Sequence, residues 1–211
     1  MKKLGAARRA AIEALLPAEP GLVVDVGADH GHVAAAVGAI ATERAPHRAG
    51  RSDVPWVIAD GLAPFRAPDV AIIAGMGANT IEGILARGPH PRVLIAHAQD
   101  DPPRLRIHLA RTGWRIEAER LAYEGRRYAV ALRAVRGEEP ASGLALHWGP
   151  RLLETGDPLL DAYLRHELAH QERVATACVA SDPAKAAAHH AHVRFLRAQL
   201  GHPTQANNDP S

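Results

Sequence analysis

The chain has 211 residues, of which 47% are hydrophobic and 23% charged, with a formal net charge of +2 when the histidines are neutral. That length accommodates one well-buried core plus a small appendage and excludes two stacked domains of ordinary size, while the composition is that of a globular protein. So mild a positive charge does not by itself announce nucleic acid.

In chain order, the first segment places Leu4, Ile12, Leu15 and Leu16 near one face of a helix, with Lys2, Lys3, Arg8 and Arg9 largely on the other, and Pro17 and Pro20 end it. Leu22-Val23-Val24-Asp25-Val26 is a continuous apolar run entering a glycine-containing turn, the pattern of a buried parallel strand feeding a helix. Further runs follow at Trp56-Val57-Ile58-Ala59, Val70 to Ala74, Val93 to Ala96, Trp114-Arg115-Ile116 and Tyr128 to Leu132. Two intervening helices have legible ends. Asn79 with Glu82 resembles a capping box opening a helix through Arg87, and Asp101-Pro102 opens another that runs to Thr112 and stops at Gly113. The alternation predicts a doubly wound α/β sheet, and the short link from Ala122 to Arg127 predicts that the last two strands pair antiparallel at its edge.

After Ala134 the composition changes. Residues 136–156 read as a linker, and from Asp157 the pattern is helical. One helix starts at Asp157-Pro158 and repeats Leu164, Leu168, Gln171, Ala175 and Cys178 at coiled-coil spacing; a second starts at Asp182-Pro183 and turns Val193, Leu196 and Leu200 inward. Their short connection makes them an antiparallel hairpin over 157–201, and the polar tail 202–211 is expected to be disordered.

No run of eighteen apolar residues occurs, and Met1-Lys2-Lys3-Leu4 leads to Arg8 and Arg9 rather than an apolar signal core, so the expected location is the cytoplasm, with no membrane partner. The lone Cys178 excludes an internal disulfide and a cysteine-rich zinc site. No spacing among the thirteen histidines reads as a metal site, and His189, His190 and His192 are expected to face water. Arg44, Arg48 and Arg51, and Arg104, Arg106 and Arg111, form basic stretches that read equally as solvated faces or as nucleic-acid contacts.

The strongest chemical signal is Asp25-Val26-Gly27-Ala28-Asp29-His30-Gly31 at the carboxyl end of the first strand, where open α/β sheets bind ligands. A dinucleotide site would carry glycine where this chain has Asp29. That carboxylate repels a pyrophosphate but suits a ligand end bearing an ammonium and a sulfonium, which favours S-adenosylmethionine over NAD. Asp60-Gly61-Leu62 and Ile73-Ala74-Gly75-Met76-Gly77-Ala78 follow later strands on the same expected edge, with Asp60 able to accept from an adenine amino group.

These three segments, with Ile81, Ile84-Leu85, Leu105-Arg106, Gly113-Trp114, Tyr128 and Gly149 to Leu153, resemble the bacterial methyltransferases that modify N1 of adenosine 22 in tRNA, and the likeness spans nearly the whole chain. It implies a Rossmann-like class I methyltransferase domain, residues 1–135 here, that binds S-adenosylmethionine, and a coiled-coil C-terminal domain that helps hold tRNA. By the same resemblance Asp25, Gly27, Asp29, His30 and Gly31 form the methionine-side pocket, Asp60 and Gly61 lie near the adenine, and Gly75, Met76 and Gly77 line the methyl-transfer cleft. Asp29 and Gln99 are the catalytic candidates, and Lys2, Lys3, Arg8 and Arg9 the RNA-binding ones. The chain departs from the family pattern in three places. Ala78 ends a motif that the family closes with glycine, His97-Ala98-Gln99 stands where the family has Gln-Pro-Asn, and the stretch from His32 to Asp60 is short. Either 39–43 is the second strand and Glu43 the acid for the ribose hydroxyls, or that strand is missing and Glu43 lies on a helix. Two alternatives stand beside this reading: a methyltransferase of another substrate, and a non-catalytic RNA-binding relative.

Overall fold

The computed structural model describes residues 4–46 and 53–201. A short helix α1 (Ala6–Glu13) precedes β1 (Val23–Val26), α2 (His32–Val37), β2 (Ile40–Glu43), β3 (Trp56–Ile58), β4 (Val70–Met76), α3 (Ala78–Arg87), β5 (Val93–Ala98), α4 (Pro102–Arg111), β6 (Trp114–Glu124) and β7 (Arg127–Arg136). The strands form one sheet in the order β3-β2-β1-β4-β5-β7-β6. Pairing is parallel from β3 through β5, and β7 runs antiparallel to both β5 and β6. The second strand is therefore present, and Glu43 is its last residue.

Residues on alternating faces of the central strands build two cores. Val24, Val26, Ala71 and Ile73 pack with Ile81 and Leu85 of α3 and Leu105 and Leu109 of α4, whereas Val23 and Ile72 pack with Ile12, Leu15 and Val33 on the opposite side. The last two strands are longer than their apolar runs, because their outer halves alternate buried and exposed residues and so carry polar side chains. They join through Gly125-Arg126, both at positive φ (58° and 66°), a two-residue turn tighter than the link read from the sequence.

Helix α3 begins at Ala78, one residue before the expected cap. Asn79 lies inside it, and the N–H of Ala78 is instead accepted by Asp100 Oδ1 at 2.8 Å, while Glu82 accepts both Nε and Nη2 of Arg104 at 2.8 and 3.1 Å. Asp101 caps α4 as expected, accepting from Arg104 N at 3.0 Å. Arg106 departs from a basic surface stretch altogether: it is fully buried, its Nε donates to Glu119 at 2.7 Å and its Nη1 to the His147 carbonyl at 2.6 Å.

Within 136–156 lie two short helices, α5 (Gly143–Trp148) and α6 (Pro150–Thr155). They lead to the antiparallel pair α7 (Leu160–Cys178) and α8 (Pro183–Gly201), whose buried seam includes Leu164, Gln171, Ala175, Val193 and Leu196. A third core joins this appendage to the sheet through Leu121, Val130, Trp148, Leu152, Tyr163, Leu164 and Leu196. His189 and His192 do not simply face water. His189 Nδ1 is 2.6 Å from Gln171 Oε1, and the His192 ring lies 4.6 Å from that of His147. The tail 202–211, like Lys2, Lys3, Arg48 and Arg51, lies outside the described residues.

Candidate active site

The strand registers bring the motif turns to one rim. Val26 is level with Thr42 of β2 and Ile73 of β4, Glu43 with Ile58 of β3, and Ala74 with His97 of β5. Parallel strands so aligned all release their chains at the same edge of the sheet. Main-chain bonds stitch these exits together: Ala28 N to Thr42 O at 3.0 Å, Ala59 N to Glu43 O at 3.1 Å and Gln99 N to Met76 O at 2.9 Å. The turn of β6 and β7 lies on this rim too, because β7 is antiparallel to β5 and begins there.

At the centre of the rim a small notch is lined by Asp25, Gly27, Ala28, Asp29, His30 and Gly75, among others. Asp25 is 4% exposed and accepts from Ala34 N at 3.1 Å; burial pushes its pKa up to about 7 against the lowering effect of that bond. Asp29 adopts φ 50°, uncommon outside glycine, and its carboxylate lies 3.8 Å from His30 Nε2. Gly27 sits at φ 66°, in the left-handed region that favours glycine, and a Cβ there would lie 2.0 Å from Met76 Cε, the far end of a flexible side chain. Gly31 ends the turn, donating to Ala28 O at 2.8 Å before α2 begins.

The other predicted residues flank this notch. Glu43 is buried at the end of β2, with Oε1 accepting from Ala45 N at 3.1 Å. Asp60 lies farther out, exposed and 3.8 Å from Arg87, and Gly61 packs against Ile84. Gly77 precedes α3, beside the Asp100 carboxylate. The Gln99 side-chain amide donates to the Gly75 carbonyl, fastening the end of β5 to the end of β4. Of the basic candidates, Arg8 pairs with Glu124 at 2.8 Å and Arg9 with Glu13 at 3.3 Å. Among the described residues no group of histidine, cysteine and acidic side chains is arranged to hold a metal, and no helix is long and apolar enough to cross a membrane.

Sequence reasoning passed over two features. Asp100 tethers the rim to α3, accepting from both Ala78 and Asp101, and these bonds hold its carboxyl below the usual range. Beside it opens a cavity of about 680 Å³ between β5, β7 and the appendage, lined by residues that include His97, Gln99, Tyr128, Trp148 and Tyr163. Notch and cavity meet where Gln99, which lines the cavity, bonds Gly75, which lines the notch.

A mostly parallel seven-stranded sheet with an antiparallel edge, ligand-type turns on the carboxyl rim of its parallel strands and a helical pair appended is the architecture of a class I, Rossmann-like methyltransferase. The family model of the tRNA (adenine(22)-N(1))-methyltransferases (TrmK) matches residues 47–200, and the chain belongs to that family, whose members transfer a methyl group from S-adenosylmethionine to N1 of adenosine in tRNA. No match was found among curated protein sequences. Among solved structures, the chain is similar to a protein of the NADB-Rossmann superfamily from Streptococcus agalactiae (TM-score 0.78, 22% identity, covering 95% of this chain and 99% of that one). It is similar also to the B. subtilis m1A22 tRNA methyltransferase TrmK (0.73, 19%, 95% and 100%) and to M. capricolum TrmK in complex with S-adenosyl-homocysteine (0.74, 15%, 94% and 98%). At these identities the likeness speaks for the fold.

Proposed function

We propose that this chain methylates N1 of adenosine 22 in tRNA in the cytoplasm, with its donor's methionine end in the Asp25–His30 notch and transfer taking place at the Gly75–Gln99 junction. The observation that carries this reading is that junction, where a donor-side notch and a nucleoside-sized cavity share one hydrogen bond.

The notch residues fit S-adenosylmethionine. Asp25 is a buried carboxylate with no cation on it among the described contacts, so an ammonium would restore the charge balance that burial has upset. The space over Gly27 is taken by the far end of a flexible methionine, which can swing aside where a backbone group could not. Glu43 stands where a ribose diol would be met and Asp60 beyond it, toward the adenine. When bound, the donor supplies an electrophilic methyl group on a sulfonium.

The remaining chemistry belongs to the protein. N1 is neutral and already owns its lone pair, so orientation supplies most of the catalysis and no base is needed before attack. It lies on the Watson–Crick edge, so the adenosine must leave its stack to enter the cleft. With its amide nitrogen held by Gly75, Gln99 offers Oε1 to the adenine amino group. Positive charge grows on the ring during transfer, and the Asp29 carboxylate stabilises it. Arg8, Arg9, Lys2 and Lys3 serve as phosphate contacts for the tRNA. The test is Asp29→Ala assayed at saturating donor: turnover lowered by about a hundredfold is expected, and unchanged turnover removes Asp29 from the mechanism.

A further inference from the structure

The cavity beside the notch is walled on one side by the rim and on the other by the appendage. Tyr128 of β7, Trp148 of α5 and Tyr163 of α7 line it together, with ring centroids 5.5 Å apart for Tyr128 and Tyr163 and 6.5 Å for Trp148 and Tyr163. Tyr123, directly across the strand pair from Tyr128 and 4.8 Å from its ring, extends the series to the surface, where it is 50% exposed.

Two polar groups on this wall lack partners. His97 and Trp148 are each 3% exposed, and each keeps a ring nitrogen, Nε2 and Nε1, shielded from solvent with no hydrogen bond. Native interiors pair such groups; both residues line this cavity, and a ligand toward which their rings turn would supply the missing partners. Their polarities are defined. His97 Nδ1 lies 3.0 Å from the Val130 carbonyl and must donate to it, and burial keeps the ring neutral, so Nε2 is an acceptor; the indole N–H can only donate. Adenine presents that complement, an amino group that donates beside a ring nitrogen that accepts, whereas guanine has a carbonyl oxygen in place of the amino group.

Resting on the reading above, we propose that this cavity receives the turned-out target adenosine, which stacks on the Tyr128–Tyr163 wall and is distinguished from guanosine by His97 and Trp148, so that the C-terminal hairpin forms part of the active site itself. A volume of about 680 Å³ holds a nucleoside with its phosphate. The amino group has two hydrogens; Gln99 bonds Gly75 and His97 is level with Ala74, both residues of the notch, so each can take one hydrogen while N1 faces the junction.

The experiment pairs variant kinetics with crosslinking. Tyr128→Leu is expected to lower the single-turnover rate of N1 methylation on an unmodified tRNA transcript by about tenfold or more, the worth of one aromatic stack, with donor affinity within about threefold of wild type and Tyr128→Phe near wild type. Full rate in Tyr128→Leu, or a rate that falls only in step with donor affinity, overturns the proposal. Should that variant misfold, wild-type protein irradiated with a tRNA carrying 8-azidoadenosine at position 22 gives the answer. Crosslinks to peptides containing Tyr128, Trp148 or Tyr163 support the pocket, and crosslinks confined to other peptides sink it. Wild-type protein that fails to methylate tRNA brings down the underlying reading and this one with it, whereas active protein crosslinked elsewhere brings down this one alone.

Discussion

Asp100 Oδ1 accepts the backbone N–H of Ala78 at 2.8 Å, so a residue beyond β5 caps a helix that begins beyond β4. The bond holds Gly77, Ala78 and the Gln99 junction in fixed relation. Asp100→Ala is expected to cost about 1 kcal/mol of stability, as loss of a helix cap does. It is expected to cost turnover more heavily, because the Gly75–Gln99 junction loses its tether; urea denaturation and turnover measured on one preparation check both.

Gly27 resists a side chain on two counts. Its φ of 66° and the Met76 methyl 2.0 Å from a built Cβ both oppose substitution. Gly27→Ala is expected to lose about 1 kcal/mol of stability from the backbone alone and at least about tenfold in donor affinity, and Met76→Ala in the same background is expected to recover only the steric part. Calorimetric titration of the single and double variants separates the two contributions.

The raised pKa of Asp25 fixes a pH dependence. Because its folded value of about 7 lies above the ordinary 3.8, its contribution to the stability of the ligand-free protein is full below about pH 4 and is lost as pH rises through 7. A bound ammonium favours the ionised form instead, so binding releases a proton. The ionised fraction grows about fivefold from pH 6 to 7, and donor affinity is expected to rise by about that factor over this range, before the donor's own amino group titrates. Asp25→Asn is expected to flatten the profile, and titrations in buffers of different ionisation heat read the proton directly.

Arg106 and Glu119 form a fully buried ion pair, and Glu119 also accepts from Arg151 N at 2.9 Å, so α4, β6 and the start of α6 converge on one carboxylate. Arg106→Leu strands that carboxylate and is expected to destabilise by about 3 to 5 kcal/mol, whereas Arg106→Leu with Glu119→Leu is expected to restore much of the loss. Chemical denaturation of both variants checks this.

What could be read from the sequence follows from how local each signal is. Four of the five parallel strands were legible as short continuous apolar runs, whereas β2 (Ile40–Glu43), which holds a Thr and a Glu among alanine-rich neighbours, read equally as strand or helix until its pairing with β1 decided it. Asp101 was legible because a cap and its helix are neighbours. The same local rule misled at Asn79, where the actual acceptor, Asp100, comes from another loop. Arg106 looked like one of three surface arginines because nothing in its own helix reveals Glu119. The turns holding Asp25, Asp60 and Gly75 could be placed on one rim from topology alone, whereas the large cavity could not. Tyr128 comes from a strand before the apparent linker, Trp148 from a helix within it and Tyr163 from a helix beyond it, and only packing brings them together.

The central claim is that this rim holds a sulfonium donor and delivers its methyl group to a tRNA adenine. Purified protein titrated with S-adenosylmethionine, then incubated with an unmodified tRNA transcript whose nucleosides are mapped, addresses it directly. Saturable donor binding with 1-methyladenosine at position 22, and none when that adenosine is replaced by guanosine, is the expected result; no binding heat at high donor concentration while tRNA still binds would contradict it and identify a non-catalytic RNA-binding relative.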